Sequence, residues 1–156
     1  MTIRVLVADD QAMIRGALAG LLNLEHDIEV VAQAADGVQV LEELTRLTRQ
    51  NAPLDAIPTS SARPVSAVDV AIIDIEMPHM DGITTTEAIR ARFPQVRVLI
   101  VTTFGRPGYL QRALDAGATG FMVKNAPVEA LAEGVRTLAA GGRAIDQSLA
   151  VEALSA

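Results

Sequence analysis

Short runs of β-branched and other apolar residues recur along the chain and alternate with segments of helical periodicity. The apolar runs lie at Ile3–Ala8, Ile28–Ala34, Val68–Asp74, Val96–Thr102 and Gly120–Val123. Helical patterns follow them near residues 12–24, 38–49, 84–92, 107–116 and 127–140. Five strands alternating with five helices indicate an α/β domain whose parallel sheet is covered by helices on both faces.

The segment 50–67 interrupts this regular alternation. It carries three prolines and four Ser or Thr residues, and it is longer than the connections of about 2–6 residues that are usual in such domains. We predict a flexible surface insertion between the second helix and the third strand. The tail 143–156 has only a weak helical pattern, which predicts a linker or an extra helix.

Composition narrows the class of protein. The 156 residues are 50% hydrophobic, enough for one domain with a sizeable core. The 13 basic and 19 acidic residues give a net charge of −6, which argues against direct nucleic-acid binding. Cysteine is absent, which excludes disulfides and thiolate metal sites. The sequence shows neither a membrane span nor a signal peptide, so we expect a cytoplasmic protein without membrane contact.

Acidic residues stand at the carboxyl ends of two predicted strands. Asp9 and Asp10 follow the first strand, and Asp74 ends the third. In a parallel α/β sheet these ends meet at one edge, where ligands bind. Carboxylates brought together repel one another, and a bound Mg²⁺ relieves that repulsion. The sequence therefore predicts a magnesium site at this edge.

Two further strand ends complete a candidate reactive site. The fourth strand ends in Thr102 and the fifth is followed by Lys124. A metal ion, a lysine and a hydroxyl around one aspartate suit nucleophilic attack on phosphorus, which yields an aspartyl phosphate. Asp74 is the natural nucleophile because it stands alone at the end of a central strand.

Each of these residues also has a simpler interpretation. Asp10 could be only the N-cap of the following helix, Lys124 a solvated surface charge, and Thr102 an ordinary strand residue. The joint occurrence at four strand ends favours the site. We expect four other candidates to have no site role: His26 and His79 at the surface, and Met77 and Met80 in packing.

Four stretches, "VLVADDQAMIRGAL", "DVAIIDIEMPHMDG", "VLIVTTF" and "AGATGFMVK", occur in this order. Together they resemble the receiver domain of response regulators of two-component systems, most closely the NarL/FixJ (LuxR-type) subfamily. The resemblance implies a receiver domain over residues 1–142. It also implies a flavodoxin-like doubly wound fold, with a five-stranded parallel sheet of order 2-1-3-4-5 and five helices.

The resemblance also implies a role for each site residue. Asp74 is the phosphoacceptor, and Asp9 and Asp10 are the acidic pair that holds Mg²⁺ or Mn²⁺ together with Asp74. Glu76 contributes its backbone carbonyl to the metal.

Three more positions match the family's phosphate-contacting and switch residues. Lys124 and Thr102 contact the phosphoryl group, and Phe121 takes the aromatic switch position. Since Phe121 lacks a phenolic hydroxyl, switching must rely on packing. Phe104, two residues after Thr102, is predicted to hinder the water that removes the phosphoryl group.

The implied function is a phosphorylation-activated receiver. It accepts a phosphoryl group from a sensor histidine kinase, and its change of conformation or dimerisation controls transcription through a helix-turn-helix domain that this sequence lacks. It is not an enzyme beyond self-phosphorylation and slow autodephosphorylation. The alternatives are a stand-alone receiver, a phosphorylation-independent interaction module, and a phosphohydrolase of the haloacid dehalogenase type. That last class uses a second Asp, as a general acid, at the position where this chain has Glu76.

The first predicted helix carries more apolar surface than a sheet needs on one side. Arg15 is its only charged residue. Two apolar stripes run along it: Ile14, Leu18 and Leu21, and beside them Met13, Ala17, Gly20 and Leu24. The fifth helix has a narrow polar line of Glu129, Glu133 and Arg136. The second stripe implies a partner, contact with the tail, or a helix that the domain itself covers deeply. We predict a homodimer through helices 1 and 5, as the resemblance also implies.

Overall fold

The computed structural model describes residues 2–51, 67–103, 108–124 and 126–145. Most of the predicted insertion 50–67, most of the tail 143–156, and Phe104 lie outside these ranges. The predictions about them therefore stay predictions.

One parallel sheet forms the centre of the molecule. Within the described ranges it has six strands: β1 Ile3–Ala8, β2 Ile28–Ala34, β3 Val70–Asp74, β4 Arg97–Thr102, β5 Gly120–Val123 and β6 Ala144–Ile145. The strand order is β2-β1-β3-β4-β5-β6, and every neighbouring pair is parallel. The predicted order 2-1-3-4-5 is confirmed, and β6 adds a sixth strand at one edge.

The strand β6 follows directly from the end of the last helix. Gly141 has a left-handed φ of 91° there, a conformation that glycine adopts without strain. The chain then turns so that Ala144 donates its N–H to the Thr119 carbonyl at 3.0 Å. The first residues of the predicted tail thus belong to the sheet.

Five helices occupy the described ranges, close to their predicted positions. They are α1 Ala12–Asn23, α2 Gly37–Asn51, α3 Gly82–Arg92, α4 Tyr109–Ala116 and α5 Val128–Ala139. Among the described residues, no helix is long and apolar enough to cross a membrane.

The helices cover the sheet in two layers because successive strand side chains point to opposite faces. One face packs against α1 and α5, with Val7, Ile72 and Leu99 meeting Leu22 and Val135. The other face packs against α2, α3 and α4, in a second cluster: Leu6, Ile73, Ile100, Val40, Leu44, Ile89 and Ala113. This is the doubly wound arrangement predicted from the alternation of strands and helices.

The helix α1 is held to the sheet by few of its residues. Ala19 and Leu22 are the buried positions, whereas Met13 and the C-cap residue Leu24 are 89% and 80% exposed. Its apolar surface is therefore larger than the sheet covers in the described part of the chain.

Candidate functional site

Three carboxylates converge at the carboxyl edge of the sheet, as the sequence predicts. Asp9 and Asp10 follow β1, and Asp74 ends β3, which pairs directly with β1. One oxygen from each of the three carboxylates lies within 4.8 Å of the others. Asp9 and Asp74 are buried, while Asp10 is exposed. The cluster is thus buried at Asp9 and Asp74 and open to solvent at Asp10.

Lys124 is the cation that the structure places in this cluster. Its Nζ lies 2.8 Å from Asp9 Oδ2 and 3.0 Å from Asp74 Oδ2. Only 11% of its side chain is exposed, so the interpretation as a solvated surface charge is wrong. Its backbone N–H donates to the Thr102 carbonyl at 2.7 Å, which ties the loop after β5 to the end of β4.

The charges at the site are unequally matched. Burial raises the pKa of Asp74, the nearby Asp9 charge adds to that rise, and the hydrogen bond from Lys124 opposes it. Burial lowers the pKa of Lys124, but its hydrogen bonds to Asp9 and Asp74 outweigh burial, so the net shift is upward. The lysine therefore stays charged, and a single ammonium faces three carboxylates.

Asp9 is held in place by the backbone and by one residue that sequence reasoning missed. Its Oδ1 accepts from the Gln11 N–H at 2.8 Å, and its carbonyl accepts from Arg15 Nη1 at 2.7 Å. Arg15 stands out in the sequence, because it is the only charged residue of α1. The N-cap of α1 is Gln11, so the interpretation of Asp10 as that cap is wrong.

The turn from β3 into α3 passes very close to the backbone of Asp74. Asp81 is the N-cap of α3, and its side chain accepts from the Thr84 N–H at 2.8 Å. Gly82 donates its N–H to the Ile75 carbonyl at 2.8 Å. A Cβ on Gly82 would lie 2.2 Å from the Asp74 carbonyl oxygen. Glycine is required here by that close approach.

The side chain of Asp74 has a further donor in this loop. The backbone N–H of Glu76 hydrogen-bonds to the Asp74 carboxylate, which lowers its pKa and partly opposes the effect of burial. The side chain of Glu76 itself is exposed.

Thr102 and Phe121 lie on one face of two neighbouring strands. Phe121 pairs in register with Ile100, two residues before Thr102, so that side chains of all three point to the same side. Thr102 is 3% exposed and Phe121 is fully buried, within the cluster beneath α2, α3 and α4. The Phe121 ring therefore lies in the core layer on the side of the sheet to which Thr102 points.

The four residues expected to have no site role are also placed by the structure. His26 is exposed, and Met77 is buried in the core. His79 is exposed, but its Nδ1 lies 3.0 Å from Oδ2 of Asp36, the residue before α2. The Gln39 N–H and then His79 lower the pKa of Asp36. Met80 is half-buried.

Comparison with known proteins decides the family. The profile of the response regulator receiver domain matches residues 5–136. The chain belongs to the response regulator receiver family. This receiver is 35% identical over 147 residues to the uncharacterized transcriptional regulatory protein YvfU of Bacillus subtilis, covering 94% of this chain and 64% of that one. It is 36% identical over 141 residues to the transcriptional regulatory protein DesR of the same organism, covering 90% and 60%.

Solved structures agree with the sequence relatives. A LuxR-family two-component response regulator from Aurantimonas superposes with a TM-score of 0.79 and 26% identity, covering 99% of this chain and 97% of that chain. The signal receiver domain of the putative response regulator NarL from Mycobacterium tuberculosis gives a TM-score of 0.74 and 28% identity, covering 90% and 98%.

These findings confirm the predicted family and fold: the chain is a receiver of the NarL/LuxR type of two-component regulator. They set aside the haloacid dehalogenase alternative. The receiver spans about 60% of the length of the curated relatives that it matches. Receivers bind Mg²⁺ at an acidic cluster of the kind formed by Asp9, Asp10 and Asp74, interact with histidine kinases and often dimerise.

Proposed function

We propose that this receiver accepts a phosphoryl group from a sensor histidine kinase on Asp74. The observation that carries the proposal is a buried carboxylate that shares one lysine with a second buried carboxylate. Lys124 contacts both Asp74 and Asp9, and the open side of the cluster faces solvent at Asp10. A phosphodonor therefore has a path to the Asp74 carboxylate and a fixed cation beside it.

In the proposed reaction an Asp74 carboxylate oxygen attacks the phosphorus atom of a phosphohistidine. A new O–P bond forms as the P–N bond breaks, and the electron pair of that bond returns to the imidazole nitrogen. Lys124 stabilises the negative charge on the phosphoryl oxygens with its ammonium. The Thr102 hydroxyl donates a hydrogen bond to one of these oxygens. Hydrolysis of the acyl phosphate by water restores the free carboxylate and releases inorganic phosphate.

The donor set fits a divalent cation, Mg²⁺ or Mn²⁺. Three carboxylates opposed by one ammonium leave excess negative charge, and all the ligand atoms are hard oxygens. Asp9, Asp10 and Asp74 would hold the ion with the backbone carbonyl of Glu76. When bound, the metal neutralises charge on the phosphoryl oxygens.

Phosphorylation is proposed to act through packing. The Thr102 hydroxyl follows the new phosphoryl oxygens, and the Phe121 ring beneath the helical layer adjusts to the space that Thr102 leaves. Because Phe121 has no hydroxyl, it makes no hydrogen bond that would mark the two states. We propose that this change controls transcription through a helix-turn-helix domain outside this sequence, in the cytoplasm.

The proposed dimer surface is formed by α1 and its neighbour α5. The large exposed apolar residues of α1 are Met13, Ile14 and Leu21, and Leu24, the C-cap residue, is exposed as well. The helix α1 contacts α5 directly. A contiguous apolar area of this kind on a small domain favours a protein partner. Since a second copy carries the same surface, a two-fold symmetric dimer covers both areas at once.

Analytical ultracentrifugation tests the dimer. The wild-type receiver is measured with and without a phosphoryl mimic, and we expect it to self-associate in at least one of these two states. We expect a monomer in both states for the double variant Met13→Lys, Leu24→Lys. Val38→Lys is the matched control, because Val38 is a 41% exposed apolar residue on α2. A wild-type protein that stays monomeric in both states would contradict the proposed surface.

Acetyl phosphate tests the proposed phosphorylation. After incubation with acetyl phosphate and Mg²⁺, intact mass should show one phosphoryl group on the wild type and none on Asp74→Asn. Asp69→Asn is the matched control, since Asp69 contacts the Arg4 N–H at the opposite edge of the sheet. Absence of the adduct from wild type, with Mg²⁺ present, would favour the phosphorylation-independent interaction module.

Phe104 carries a separate prediction about phosphoryl lifetime. If its ring hinders the attacking water, Phe104→Ala should lose the phosphoryl group faster than the wild type. Slower or equal loss from the variant would show that the ring gives no protection.

A further inference from the structure

A second polar pocket lies at the amino edge of the sheet, opposite the Asp74 site. Its volume is about 310 Å³. Three arginines line it: Arg90 near the end of α3, Arg97 at the start of β4, and Arg143 just before β6. Thr119, immediately before β5, is also in the wall. The pocket therefore joins three separate parts of the chain.

Within the described ranges, no carboxylate neutralises these three guanidinium groups. No acidic residue among those described lines the pocket, and none of the three arginines forms an ion pair there, whereas Arg136 and Arg46 do. The backbone N–H of Arg97 donates to the carbonyl of Asp69, which is an acidic residue at the same edge of the sheet. Its carboxylate is already engaged by the Arg4 N–H at 2.9 Å. All three arginines are exposed to solvent, so their guanidinium groups are open to an anionic ligand.

The wall of the pocket holds one of these arginines in position. Gly117 ends α4 with a left-handed φ of 110°, and a Cβ there would lie 2.6 Å from Arg90 Cδ. The stem of Arg90 therefore packs against the bare backbone of Gly117. The Thr119 hydroxyl, beside it in the wall, is buried and has no hydrogen-bond partner in the described part of the chain.

We propose that this pocket binds a small molecule through a diphosphate or triphosphate group held by Arg90, Arg97 and Arg143. Guanidinium groups bind phosphate oxygens with paired, charge-assisted hydrogen bonds. The volume lies at the lower end of the range for small-molecule sites, about 300–1,000 Å³. The negative net charge of the chain disfavours a long polyanion such as nucleic acid.

The position of Arg143 gives binding a structural consequence. Arg143 directly precedes β6, which is the edge strand and the last described element. A ligand that contacts Arg143 together with Arg90 and Arg97 fixes the start of the tail against α3 and β4. The pocket is separate from the phosphorylation edge, so this proposal does not depend on the proposed phosphorylation.

Titration with pyrophosphate tests the site. The experiment uses calorimetry and amide NMR shifts in EDTA at constant ionic strength, because without divalent cations the acidic cluster repels the probe. We expect one saturable site, with shifts concentrated at residues 117–119 and 143–144. Arg97→Gln and Arg143→Gln should each weaken binding about tenfold through loss of a charge-assisted pair. Arg112→Gln is the matched control, since Arg112 lies over the Tyr109 ring on α4, away from the pocket.

Three results of this titration would overturn the proposal, and a fourth comes from a competing ligand. The first three are the absence of saturable binding, equal weakening in the Arg112→Gln control, and shifts centred on Asp9 and Asp74 instead of the pocket. A single-stranded oligonucleotide that binds the same residues more tightly than pyrophosphate or a nucleoside triphosphate would also overturn it, in favour of a nucleic-acid site.

Discussion

The substitution Gly82→Ala tests how the β3–α3 turn positions Asp74. The new Cβ would lie 2.2 Å from the Asp74 carbonyl oxygen and 2.9 Å from Ile75 Cα, where ordinary van der Waals contact begins at 3.4 Å. Both neighbours are backbone atoms, so no flexible side chain can move away. The end of β3 and the start of α3 must separate by about 1.2 Å to relieve the closer contact.

That separation predicts two measurable effects. Overpacking at a buried position costs about 1–3 kcal/mol of unfolding free energy. The second effect is on chemistry, because Asp74 moves relative to Lys124 and Asp9. A misplacement of about 1 Å can slow a reaction roughly 100-fold. We therefore expect Gly82→Ala to be both less stable and much slower to take up a phosphoryl group from acetyl phosphate.

Urea unfolding and the rate of adduct formation by intact mass measure these effects. Gly16→Ala is the matched control, because a Cβ at Gly16 in α1 meets nothing within 4 Å. The free energy of unfolding of Gly16→Ala should rise by about 0.5–1 kcal/mol, because alanine has a better helix propensity than glycine. A Gly82→Ala protein with wild-type stability and a wild-type phosphorylation rate would refute the argument that close approach is the reason for this glycine.

Three further predictions concern ion pairs and capping. Arg136 binds Asp27 through two hydrogen bonds of 2.8 and 2.9 Å and lowers the pKa of Asp27 from 3.8 to about 2. This stabilisation is fully present above pH 3.8 and is lost as the pH falls through 2, so acid unfolding curves of Arg136→Gln should lack that part of the pH dependence. In Lys124→Met two buried carboxylates lose their cation, so the variant should melt at a lower temperature than the wild type. Added Mg²⁺ should raise the melting temperature of the variant more than that of the wild type. Asp81→Ala removes the N-cap of α3 and should cost about 1 kcal/mol in urea unfolding.

Much of the fold and the site could be predicted from the sequence because the signals are local. Strand β1 is a nearly continuous apolar run, interrupted only by Arg4, and the residue that follows it must lie at the carboxyl edge of a parallel sheet. That single rule brings Asp9, Asp74 and Lys124 to one place without knowledge of any contact. The turn residues Asp81 and Gly82 are similarly visible, although the distance that excludes a Cβ is not.

The remaining features depend on contacts between residues far apart in sequence. The two residues of β6 have no strand signal of their own, and they pair only because α5 ends beside β5. Arg15 is visible as a lone charge, but its bond to the Asp9 carbonyl is set by the direction in which α1 leaves the sheet. The three arginines of the amino-edge pocket come from positions 90, 97 and 143, and no local pattern connects them.

Chemical identification of the phosphorylated residue shows whether Asp74 is the phosphoacceptor. After reaction with acetyl phosphate and Mg²⁺, borohydride reduction converts an aspartyl phosphate into homoserine, which peptide mass spectrometry locates. We expect homoserine at Asp74, with Asp9 and Asp10 unchanged. Reduction at Asp9 or Asp10, or an adduct that resists borohydride and hydroxylamine, would contradict the role assigned to Asp74.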